Sequence, residues 1–182
     1  MTINILLTSF DTWLPHQQSN SSDDLLAKVS EIESLPYALT FLRKLPVDPK
    51  LGPIQAIAKI DELQPDIIIC CGMAESRKNL TVESTATSDG EILHTSIPLS
   101  SLVTNLTITE ISNDAGKFVC EALYYSVLKH IRDHHLPSQC IFIHVPILTQ
   151  ENIDPIIKDF LSIFELLMNR TQAPLDVLST FN

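Results

Sequence analysis

The chain of 182 residues reads as an α/β protein, a single-domain three-layer sandwich whose central sheet is largely parallel or mixed and carries helices on both faces. Two observations predict this. Strand-length apolar runs alternate with helix-periodic segments along the chain. Residues 66–71 are also apolar almost throughout, as expected of a strand buried on both faces. Composition agrees: 45% of residues are apolar and 19% charged, which excludes disorder as a global description. A chain of this length can bury roughly 70% of its unfolded surface in one core. The domain is expected to span residues 1–170, with 171–182 as a tail of little periodicity.

The elements follow in order. Residues 3–9 are an apolar strand. Residues 22–34 carry Leu25, Leu26, Val29 and Ile32 at helical spacing, and 37–45 reads as a second strand. Residues 52–63 are helical through Ile54, Ile57, Ala58 and Ile60, ahead of the strand at 66–71. A mixed stretch occupies 80–111. A helix from Lys117 to about His134 follows, then a strand at 140–145 closed by Pro146, and a long helix over 152–169.

The net charge of −10 argues against nucleic acid or anionic membranes as partners, because either requires a basic face. Residues 3–7 are too short for a signal peptide's apolar core and have no basic flank, and no run approaches a membrane span, so a cytoplasmic location is expected. Without a secretory signal, and with Cys70 and Cys71 adjacent in an apolar strand, the four cysteines read as free thiols. His130 and His134 stand one helical turn apart beside Asp133 and His135, but such a polar helix end is a solvated surface more often than a metal site. No metal and no cofactor are expected.

One cysteine differs from the rest. The polar turn Ser112-Asn113-Asp114-Ala115-Gly116 runs into the apolar helix that carries Cys120 in its first turn. The helix dipole and free amides there favour a thiolate. The next strand places His144 at its end. If the Ser112 turn lies at the carboxyl edge of a parallel sheet, the helix crosses back and the strand returns to that edge, bringing Cys120 and His144 together. Taken alone, a cysteine at a helix start is more often a small buried residue, and a strand-end histidine is more often bonded to backbone.

The segments 111–120 and 142–146 resemble the cysteine and histidine blocks of the pyroglutamyl peptidase I family. Further matches occur in order at Leu7-Thr8-Ser9-Phe10-Asp11-Thr12-Trp13, at Leu45-Pro46-Val47 and across 65–77, so the resemblance spans residues 1 to about 165. It implies a cysteine-type omega peptidase that removes an amino-terminal pyroglutamyl residue from peptides. Cys120 would be the nucleophile, His144 its partner and proton donor, and Glu83 the acid that orients the imidazole. Phe10 and Trp13 match aromatics that hold the pyrrolidone ring, and Met73 and Val119 are carried over beside them. The implied partner is a pyroglutamyl peptide or a related small lactam, and the implied assembly is a homo-oligomer, dimer or tetramer.

The chain also departs from that family. Trp13-Leu14-Pro15 stands where the family has a Phe-Gly-Gly turn, Asn20-Ser21-Ser22 replaces Asn-Pro-Ser, and Glu75-Ser76 precedes Arg77 where the family reads Gly-Arg. The loop after Glu83 is shortened, and an arginine the family carries there has no counterpart near Leu93. Arg77 reads either as a structural ion pair or as part of the oxyanion region. The alternative function is a binding or scaffold protein that keeps the fold with altered specificity or no turnover.

Overall fold

Period-two alternation along the inner strands decides which residues meet which helices. The computed structural model describes residues 3–32 and 35–171. Its elements are β1 (Asn4–Phe10), α1 (Ser21–Ser30), β2 (Ala38–Leu45), α2 (Leu51–Leu63), β3 (Ile67–Met73), β4 (Leu80–Glu83), β5 (Thr85–Ser88), β6 (Glu91–His94), α3 (Leu99–Val103), β7 (Thr109–Ser112), α4 (Val119–Asp133), β8 (Gln139–Val145) and α5 (Ile153–Thr171). The six-stranded sheet has the order β2-β1-β3-β8-β4-β7. Strands β2, β1, β3 and β8 are mutually parallel, β4 runs antiparallel to β8, and β7 pairs parallel with β4.

On β3, Ile67, Ile69 and Cys71 face one layer while Ile68 and Cys70 face the other. On β8, Ile141, Ile143 and Val145 oppose Cys140 and Phe142 in the same way. The first layer holds Leu25, Leu26 and Val29 of α1, Leu99 and Leu102 of α3, and Ile156, Phe160, Ile163 and Phe164 of α5. The second holds Ala56 and Ile60 of α2, Leu123, Tyr124 and Val127 of α4, and Ala86 and Leu93 of the β5–β6 hairpin. Because both faces are covered, the inner strands read as continuous apolar runs rather than as alternating ones.

Local chemistry fixes the ends. Asn20 caps α1 by accepting from the Ser22 amide at 3.0 Å, and Asp23 and Asp24 complement the dipole of its first turn. The helix ends at Ser30 rather than near 34, closed by amides of Glu31 and Ile32 that reach back three residues. Asp159 of α5 accepts from the amides of Thr107 and Ile108 at 2.9 and 2.8 Å, which anchors the start of β7.

The sheet corrects one sequence expectation. Strand β7 does not run parallel to β8, so the turn after Ser112 does not lie at a carboxyl edge the two strands share. Ser112 is level with Glu83, which is level with Phe142, two residues short of His144. The loop 113–118 carries the chain the remaining distance before α4 begins. Residues 172–182, most of the expected tail, lie outside the described residues, and α5 itself runs to Thr171. No helix among the described residues is long and apolar enough to cross a membrane.

Candidate active site

Alternation also places the site. Thr81 and Glu83 lie on the opposite face of β4 from Leu80 and Val82, and on β8 His144 follows Cys140 and Phe142 onto the side facing α4. Glu83 is fully buried and His144 is 5% exposed. His144 Nδ1 and Glu83 Oε1 are 2.8 Å apart. Burial acts to raise the Glu83 carboxyl, but hydrogen bonds from His144 and Ser112, the His144 charge and the Arg77 hydrogen bond outweigh it, leaving the group below its ordinary value. Glu83 is thus not the solvated surface carboxylate that its type most often is. The Tyr124 hydroxyl donates to the Glu83 carbonyl at 2.9 Å, so α4 is tied to the strand that bears the acid.

Cys120 is the second residue of α4, whose start carries no side-chain cap. Gly72 is the register partner of His144 on β3, and it is the seat of the thiol. A Cβ at Gly72 would lie 2.6 Å from Cys120 Sγ and 2.9 Å from the Phe142 ring. Only a glycine lets the helix start settle this close to the sheet. The thiol therefore sits over a bare backbone position whose register partner on β8 is His144. The other cysteines, Cys70, Cys71 and Cys140, are buried, whereas Cys120 keeps partial access.

The expected resting thiolate is not what the surroundings favour. Burial pushes the Cys120 thiol up to about 12, and the Glu83 carboxylate adds to the rise while Arg77 opposes it. The first turn is pressed onto Gly72 and Phe142, and loss of water there outweighs the helix dipole. These surroundings disfavour the ionised form of the Cys120 thiol.

A cavity of about 180 Å³ opens on Cys120 and is lined by Phe10, Trp13, Val47, Met73 and Val119 among others. All four residues expected to bind substrate, Phe10, Trp13, Met73 and Val119, stand on this wall. They differ in setting. Phe10 is 2% exposed and Trp13 is 54% exposed, so Trp13 is not a core residue. Its ring lies 5.2 Å from that of Phe118. Gln17, Asn20 and Glu75 also line the cavity, and sequence reasoning did not select them. Glu75 holds the loop that carries Trp13: it accepts from Gln17 Nε2 at 2.6 Å and meets His16 Nε2 at 3.1 Å. Gln17 Oε1 in turn accepts from the amides of Trp13 and Leu14.

Arg77, left open between two roles, reaches Glu83 Oε1 and Thr81 Oγ1 through one nitrogen and donates to the Asp114 carbonyl at 2.6 Å through another. His130 and His134 sit apart from the site, with His130 Nε2 2.7 Å from Asp61 Oδ1 and His134 Nδ1 3.0 Å from the His130 carbonyl.

The sequence and the fold have counterparts among known proteins. Residues 87–166 match the model of the pyroglutamyl peptidase family. A pyrrolidone-carboxylate peptidase of Brachyspira hyodysenteriae is 29% identical over 137 residues, covering 61% of this chain and 68% of the relative. Pyrrolidone-carboxylate peptidase 1 of Caldanaerobacter subterraneus is 25% identical over 191 residues, covering 90% and 92%. The crystal structure of a pyroglutamyl peptidase I from Bacillus amyloliquefaciens shares the fold with a TM-score of 0.78 at 23% identity, covering 90% of this chain and 93% of that one. The resemblance seen in the sequence holds for both the matched segment and the fold.

Proposed function

We propose that this chain, a relative of the pyroglutamyl peptidases, is a cysteine peptidase that removes amino-terminal pyroglutamyl residues, with Cys120, His144 and Glu83 as its triad. One observation carries the reading: the thiol of Cys120 opens on a small, mainly apolar cavity and rests on Gly72, whose register partner is a histidine bonded to a buried carboxylate. A pyrrolidone ring suits such a cavity, since its faces are apolar and only its amide edge needs directed hydrogen bonds.

The chemistry follows from the protonation states. As Cys120 Sγ attacks the carbonyl carbon joining the pyroglutamyl ring to the next residue, His144 takes the thiol proton as general base. The backbone amides at the start of α4, which no side chain caps, are the donors that would stabilise negative charge on the carbonyl oxygen. His144 then gives its proton to the leaving amine, which departs with the shortened peptide. Water, deprotonated by the same imidazole, hydrolyses the thioester and frees pyroglutamate. Throughout, ionised Glu83 accepts from Nδ1–H and keeps Nε2 for proton transfer. A buried ionised carboxylate on a histidine favours turnover over a binding scaffold.

The test is substrate selectivity. Pyroglutamyl-aminomethylcoumarin should be hydrolysed while the prolyl and glutamyl analogues are not, because one lacks the ring carbonyl and the other the ring. Absence of coumarin release from the pyroglutamyl substrate, or equal release from all three, overturns the assignment.

A further inference from the structure

We propose that Arg77 is a positioning residue for catalysis, a guanidinium clip that holds the acid of the triad and the nucleophile's loop in one fixed relation. The inference rests on the triad reading and extends it to a residue of the turn between β3 and β4.

Gly72, His144 and Glu83 stand on paired strands of one sheet, whereas Cys120 stands on a helix that reaches the sheet through a loop. Glu83 ends β4, a strand of four residues. Cys120 follows the loop 113–118, which contains Gly116 at φ +92°, a backbone state suited to glycine. Between these two stands Arg77. One terminal nitrogen contacts Glu83 Oε1 and Thr81 Oγ1, and the other donates to the carbonyl of Asp114 at 2.6 Å. A planar guanidinium with donors in a fixed fork can hold two acceptors at a set separation, which a lysine ammonium cannot. Its side chain is 24% exposed, so it lies at the edge of the site, between the buried acid and solvent. Ser84 Oγ and Asn113 Oδ1 make a second, adjacent contact between the same two segments.

Arg77 has an electrostatic consequence as well as a mechanical one. Around Glu83 stand Arg77 from the turn, Thr81 from β4, Ser112 from β7, His144 from β8, and Tyr124 and Cys120 from α4. Of these, Arg77 is the fixed positive charge. It holds the Glu83 carboxyl down and draws the Cys120 thiol down against burial and the Glu83 charge. Removing it raises both, so less of the thiol ionises at a given pH.

The experiment compares Arg77→Met and Arg77→Lys with the parent protein in melting temperature, in kcat and KM on pyroglutamyl-aminomethylcoumarin, and in the pH dependence of Cys120 alkylation by iodoacetamide without substrate. For Arg77→Met, kcat should fall roughly 10- to 100-fold, the scale of a lost hydrogen bond to a charged group, with KM little changed. Its alkylation profile should move to higher pH. Arg77→Lys restores the charge without the fork and should recover the alkylation profile more than it recovers kcat. Parental kcat with an unmoved profile in Arg77→Met overturns the proposal, as does a loss of activity that tracks melting temperature while the profile stays put. Should Arg77→Met not fold, Arg77→Lys decides alone, and parental kcat in that variant contradicts the clip. A parent protein inactive on the coumarin substrate defeats the substrate assignment, while the alkylation comparison still judges Arg77.

Discussion

Cys120 was legible as a nucleophile candidate from its place after a polar turn, but its protonation state was not. The helix dipole can be read from sequence, whereas the desolvation that overrides it depends on the tight seat over Gly72, a tertiary fact. Gly72 was equally hidden, because a glycine in an apolar strand announces close approach without saying what approaches. The seat yields a prediction. Gly72→Ala places a methyl 2.6 Å from Sγ and 2.9 Å from the Phe142 ring, and Phe142 is buried and cannot yield freely. Overpacking should cost about 1–3 kcal/mol in a denaturant melt, and displacement of the thiol should remove most turnover. A Gly72→Ala protein with parental kcat would show that the thiol does not work from this seat.

At the level of elements, the strongly periodic segments were readable because burial on both sheet faces writes itself into composition: β1, β3, β8, α2 and α4 fall within a few residues of expectation. The stretch 80–111 was not. It resolves into four strands of four residues, the last ending at Ser112, and a five-residue helix, pieces too short to carry a period. The direction of β7 was hidden for the same reason. The loop 11–20 shows how a departure from the family pattern can be structurally useful. Glu75, in a turn that departs from the Gly-Arg of the family, ties down the loop bearing Trp13 through Gln17 and His16. Trp13 is half exposed at the cavity mouth, so Trp13→Ala should leave the melting temperature nearly unchanged. It should lower kcat/KM for pyroglutamyl substrates by an amount corresponding to about 1–3 kcal/mol. A large loss of stability would instead make the ring structural, and unchanged kinetics would remove it from the substrate slot.

Over the whole molecule, two layers divide the labour. Helices α1, α3 and α5 seal one face of the sheet with a continuous apolar core. The other face, under α2, α4 and the hairpin, carries Glu83, His144 and the thiol on Gly72, next to the cavity walled by Phe10 and Trp13. The proposed reaction passes through a thioester on Cys120. Acid quenching of the protein during turnover of a pyroglutamyl substrate, followed by mass spectrometry of its peptides, tests this directly. The expected result is a pyroglutamyl adduct on the peptide containing Cys120, its loss together with turnover in Cys120→Ser, and its persistence in Cys140→Ser. Turnover that survives in Cys120→Ser, or an adduct on any other residue, would contradict the account.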